Sequence, residues 1–156
     1  MGLKLRSVAV NLPFGLGGVQ VEVSEAEVRA AWNLYVEFAT RVTGVPLARS
    51  GSAREALDSL YTLFDTTREV LKAAGPEIAD GPDSLGPLAV RILNEGLRPF
   101  IVTWHARLRA FERTRGDGDD ESTWVERLQF EAELERVQEQ LAHYLDLLAD
   151  VAGVSR

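Results

Sequence analysis

Few side chains in this sequence are equipped for chemistry. It holds two histidines and no cysteine, and each histidine follows an arginine by seven residues: Arg98 with His105, and Arg136 with His143. On a helix, seven residues return the chain to nearly the same face, about 10.5 Å further along. A guanidinium and an imidazole placed in this way can converge on one phosphate. The imidazole would move a proton as general acid or base, and the arginine would steady the anion.

Other chemistries find less support. A carboxylate-bridged di-metal site in a helical bundle needs Glu-x-x-His on two helices, and Val102 and Gln140 stand three residues before the histidines. Without cysteine, neither a thiolate ligand nor a thiolate nucleophile is available. Ser24, Ser52 and Ser84 sit where helices should begin, so capping accounts for them. The glycine-rich stretch Asn11 to Gly18 is not followed by Lys-Ser/Thr, and its glycine spacing fits no nucleotide loop. No metal or cofactor is expected.

Helices must position these residues. From Leu85 to Phe111 the apolar residues form two stripes: Leu85, Ala89, Ile92 and Gly96, then Leu97, Ile101, Trp104, Leu108 and Phe111. Each keeps a helical repeat, but the two are out of step by one residue. Pro99 lacks an N–H and crowds the Glu95 carbonyl, so a kink is expected, or a break with Pro99 in the first turn of a second helix. Such a bend would expose Leu97 to Trp104.

The remaining chain supplies the neighbours. Leu3 to Val10 and Val19 to Val23 alternate as strands, giving a β-hairpin over 1–23 with Phe14 and Leu16 at its tip. Such a hairpin is marginal alone, so it must lie on the bundle or pair along an open edge. Helices are expected over 25–43, 53–74, 85–115 and 123–152. Ser24–Glu27, Ser52–Glu55 and Thr123–Glu126 form capping boxes, Ser84 is a further cap, and Gly44, Gly75 and Gly153 are stops. The stripes read Val28, Trp32, Tyr35, Ala39 and Val42 in the first helix, and Ala53, Leu57, Leu60, Phe64, Thr67, Leu71 and Ala74 in the second. In the last they read Phe130, Leu134, Val137, Leu141, Tyr144, Leu148 and Val151. Together these predict a mainly α single domain over 1–156, an antiparallel four-helix bundle with an N-terminal β-hairpin and a Pro-kinked third helix.

The two arginine–histidine pairs resemble the Arg-x(4–6)-His motif of HEPN-type ribonucleases, helical bundles that often work as dimers. Those pairs are all that the resemblance covers, and Pro99 and Val137 occupy the position after the arginine where the family usually has a polar residue. It implies Arg98, His105, Arg136 and His143 as catalytic residues of a ribonuclease, or an inert partner in a toxin–antitoxin or defence pair. Against it, the same residues lie on the flanks of apolar stripes, where charged side chains ordinarily face solvent.

Net charge is −7, which argues against a general affinity for nucleic acid, yet 15 of the 17 basic residues are arginine, and local arginine clusters could still bind phosphate or carboxylate groups. No apolar run is long enough to cross a bilayer, and the first residues lack a signal-peptide pattern, so a cytoplasmic protein is expected. The function expected is a non-catalytic interaction or adaptor module, or a small subunit, binding a protein partner or another copy of itself. Its contact residues would be Phe14 and Leu16 on the hairpin, with Leu97, Pro99, Ile101 and Trp104 on the bent helix. A small-ligand sensor using the bundle interior is a third possibility.

Overall fold

The computed structural model describes residues 3–41, 52–116 and 118–155. Strands β1 (Lys4–Leu12) and β2 (Gly17–Ser24) are followed by helices α1 (Glu25–Arg41), α2 (Ala53–Ala74), α3 (Leu85–Arg91), α4 (Arg98–Thr114) and α5 (Arg127–Ala152). A π-helical turn, Ile92–Leu97, joins α3 to α4, and the helix therefore runs on from Leu85 to Thr114. The architecture is an antiparallel four-helix bundle with an N-terminal hairpin. Helix α1 packs on α5 and α2, α2 packs on α4, and β1 lies along α5. No helix among the described residues is long and apolar enough to cross a membrane.

The one-residue slip between the stripes has a direct cause. The Arg98 N–H donates to the Leu93 carbonyl, five residues back rather than four. One extra residue is wound into the helix, and both stripes then face the core. Pro99 falls in the first turn of α4, where its missing N–H costs little. The chain reaches it through the π turn and not through an interruption.

The exposure expected of Leu97, Ile101 and Trp104 is not observed. They are 0%, 4% and 1% exposed. Trp104 meets Trp124 and Phe130 edge-on at ring separations of 5.7 and 5.5 Å, and Phe100 stacks on Phe130 at 5.9 Å. This aromatic cluster covers that face. Pro99 itself is exposed.

The α2 and α5 stripes are as expected, with Leu71 and Ala74 half-buried and the rest buried. The α1 stripe differs. Its buried residues are Glu27, Ala30, Ala31, Leu34 and Phe38, while Trp32 and Val36 face outward. Two alanines allow α1 to approach α5 closely, and Phe38 meets Tyr144 edge-on at 5.1 Å. The Tyr144 hydroxyl is buried without a hydrogen-bond partner in the described structure, and burial pushes its phenol well above the ordinary value. Helix α5 starts at Arg127, later than the expected 123, because residues Glu121–Thr123 form a 3-10 turn capped by Asp120. Helix α4 ends at Thr114 rather than 115. The expected stop of α1 at Gly44, its last residues 42–43 and the link after them lie outside the described residues.

The hairpin lies on the bundle. Val8, Val10, Leu12, Val19, Val21 and Val23 share its inner face, in a register that pairs Val8 with Val21 and Val10 with Val19. Phe14 and Gly15 at the tip both have positive φ, which suits the tight turn of a twisted hairpin. Phe14 is not glycine, so its backbone is strained, and two contacts compensate. Its N–H donates to Gln140 Oε1 at 2.6 Å, and its ring lies against Gly96 so closely that any Cβ there would collide with it. Phe14 and Leu16 thus fold back, half-buried, onto the core.

Three helix ends are closed by side chains from elsewhere in the chain. Glu27, 0% exposed, completes the capping box with Ser24 and also accepts the Leu85 N–H at 3.0 Å, which caps α3. Lys4 bridges Glu27 at 3.3 Å and Asp80 at 2.8 Å, and Ser84 donates to Asp80 instead of capping α3. Glu121 accepts the backbone N–H groups of Ala53 and Arg54 at the start of α2, and Arg127 holds it at 2.9 Å. At the C-terminal end of α5, Arg6 donates to the carbonyls of Asp150 and Val151. Carboxylates at N-termini and a guanidinium at a C-terminus match the sign of the helix dipole.

Candidate functional site

Helices α2 and α4 pack against each other, and a groove runs between them over the buried Leu57 and Ile101. Its volume is about 680 Å³, and its walls are Leu57, Asp58 and Tyr61 from α2 with Ile101, Val102, His105 and Ala106 from α4. The helical repeat explains the arrangement. Tyr61 is one turn beyond the buried Leu57 on α2, and Val102 and Ala106 are one turn apart on α4, beside its buried stripe. Tyr61 is 56% exposed and Val102 60% exposed. Large apolar side chains so exposed on a concave surface are a recognition feature.

The groove is polar at one end. Arg54 forms a two-pronged pair with Glu112, at 2.7 Å to Oε1 and 3.3 Å to Oε2, and donates to His105 Nδ1 at 3.0 Å. Hydrogen bonding to the Glu112 carboxylate raises the Arg54 pKa further above its ordinary value. Because a guanidinium only donates, His105 Nδ1 must accept, which puts the ring hydrogen on Nε2. Asp58, on the rim, makes no hydrogen bond or salt bridge among the described residues.

The four residues of the arginine–histidine pairs are not brought together. Arg98 donates from Nε to Asn94 Oδ1 at 3.1 Å, and its guanidinium lies 4.5 Å over the Phe64 ring, lining a different hollow from that of His105. Arg136 and His143 are exposed on α5 and line neither hollow. Among the described residues, no group of three or more histidine, aspartate or glutamate side chains is placed to hold a metal ion.

Of the contact residues expected from sequence, only Ile101 takes part in the groove, as its floor. Tyr61, Val102, Asp58 and Arg54 were not singled out by sequence reasoning. A signal was available for two of them: Tyr61 and Val102 are large apolar residues off the main stripe of their helices. Arg54 depends on Glu112 and Glu121, 58 and 67 residues away in sequence, and no local pattern reveals such a contact. No protein-family model matches the sequence, and comparison with curated proteins and with solved structures finds none similar.

Proposed function

We propose that this chain is a cytoplasmic, non-catalytic interaction module that holds a helix of a partner protein in the groove between α2 and α4. The observation that carries this reading is the pair Tyr61 and Val102, more than half exposed on either side of an apolar floor. The occupant is an amphipathic helix. Two antiparallel helices with a groove between them accept the one-turn repeat of apolar side chains on a third. Its charge follows from the rim. Asp58 makes no hydrogen bond or salt bridge among the described residues, and the nearby Arg54 that attracts it is already paired with Glu112, so the bound helix carries a lysine or arginine beside its apolar residues. The open backbone edges of the hairpin are a secondary contact surface.

The test uses surface substitutions that leave the core untouched. Val102→Ser with Tyr61→Ser should abolish co-purification of the partner from the native cell while circular dichroism and melting temperature stay close to wild type. Asp58→Lys should weaken the complex and make it less sensitive to salt. A partner retained by the double variant would refute the groove as the docking face. RNA cleavage that disappears in His105→Ala or His143→Ala, with the fold intact, would replace this reading with the ribonuclease one.

A further inference from the structure

The π turn faces the C-terminal half of α2 across a second concavity, which shares no wall residue with the docking groove. This hollow of about 300 Å³ is lined by Arg68, Lys72, Arg98, Asn94, Thr67 and Phe64, among others, and none of its wall residues is acidic. In a chain of net charge −7 this is a local reversal of sign. Lys72, one of two lysines in the sequence, makes no ion pair among the described residues, nor does Arg98. Arg68 is shared only with Asp65, in an exposed pair that solvent weakens.

Arg98 is already oriented. Asn94 holds its Nε and the Phe64 ring supports its plane, and the outer guanidinium nitrogens have no hydrogen-bond acceptor among the described residues. The residue wound in by the π turn sets this register, since without it everything beyond Leu97 would be rotated by about 100° around the helix. Thr67 gives an independent sign. It is part of the wall, and its hydroxyl oxygen is buried with no hydrogen-bond partner among the described residues. Buried hydroxyls are rarely left in that condition.

Immediately beside this hollow is another of about 540 Å³, with Leu71, Val90 and Asn94 as shared wall and Ile78, Ala79 and Pro87 beyond. Its charged residues, Arg91 and Glu95, pair with each other at 2.8 Å. One hollow offers cations and hydrogen-bond donors, and its neighbour offers apolar surface.

We infer that the two hollows form one binding site for a small amphiphilic oxyanion. A carboxylate or phosphate head lies among Lys72, Arg68 and Arg98, and a short apolar tail passes Val90 into the second hollow. Lysine supplies a point charge and arginine a planar fork, and together they suit either head group.

Calorimetric titration of the full chain with acetate, butyrate, octanoate, octyl phosphate, inorganic phosphate and octyltrimethylammonium tests this. Octanoate and octyl phosphate should saturate one site, and whichever binds tighter identifies the preferred head. Each added methylene should tighten binding about three- to fourfold until the tail fills its hollow. Lys72→Gln and Arg98→Gln should each weaken binding about tenfold or more. Thr67→Val should weaken it while raising the melting temperature of the free protein. Lys72 is exposed, so Lys72→Gln remains informative even if loss of the Arg98–Phe64 contact unfolds the other variant. Absence of saturation, equal binding of the octyl cation, inorganic phosphate binding as tightly as octyl phosphate, or wild-type affinity in Lys72→Gln would each overturn the site.

Discussion

At the base of the hairpin, Glu27 caps α3 from a position with no solvent exposure, and its two oxygens accept from Ser24, Lys4 and the Leu85 N–H. At the start of α2, Glu121 caps in the same manner but keeps 15% of its side chain exposed and is flanked by Arg127. Both carboxylates sit at helix N-termini and come from another element. The difference lies in what replaces them when they are lost. The Glu121 side chain is itself partly exposed, so water can take its place once it is lost, whereas the sealed junction under the hairpin has no substitute. An identical chemical device thus holds the fold at one place and adjusts it at the other.

The largest expected effect breaks the buried junction. Glu27→Gln keeps the shape but turns an amide NH₂ toward either the Leu85 N–H or the Ser24 N–H and the Lys4 ammonium, which are all donors, and it should cost about 3 kcal/mol, read from the urea midpoint. A loss no larger than that of the Glu121 variant would remove the contrast between the two sites. Next is the opposite end of the hairpin, held by packing and not by charge. Gly96→Ala should cost about 2 kcal/mol despite the better helix propensity of alanine, because the new methyl group displaces the Phe14 ring. Combining it with Phe14→Ala should recover part of that loss, and no recovery would mean that the ring is not what the methyl meets.

Glu121→Gln should cost about 1 kcal/mol, with faster hydrogen exchange confined to the first turn of α2. Exchange that accelerates throughout the bundle would make the two junctions equivalent. The smallest effect is a pH dependence. Hydrogen bonds from Lys4 and Ser84 hold the Asp80 carboxyl below the usual carboxylate range. Its contribution to stability is therefore present above the unfolded value of about 4 and is lost as pH falls through the lowered value. Lys4→Met should flatten this acid limb, and an unchanged limb would exclude the Lys4–Asp80 pair as its source.

Much of this was legible in the sequence, and the failures have physical causes. The stripes of α2 and α5 could be read because a single apolar face exists in each. Helix α1 is apolar on more than one face, so Trp32 reads as core although it is exposed, while Val28 and Tyr35 of the same stripe are half-buried against the core and Ala30 and Ala31 are fully buried. The one-residue slip around Gly96 was visible, but sequence cannot distinguish a proline kink from a π turn that restores the register. Glu27 was recognisable as half of a capping box, while its second bond, to Leu85, spans 58 residues. Glu121 was one acid in a run of polar residues. Its role, like that of Arg54, depends on contacts that only the folded chain assembles. The candidate site was mostly hidden for the same reason: Tyr61 and Val102 gain meaning only once α2 and α4 are side by side.

Glu27, Glu121 and Arg6 are taken up by helix ends, and the α2–α4 groove is left with exposed apolar walls. A photoreactive amino acid placed at Val102, compared with one at the exposed Glu135 on α5, tests that most directly in the native cell. Adducts from position 102 should map to a helical peptide bearing a lysine or arginine, should disappear with Ala106→Glu, and should be missing from position 135. Equal labelling from both positions, or labelling at 102 that survives Ala106→Glu, would contradict it.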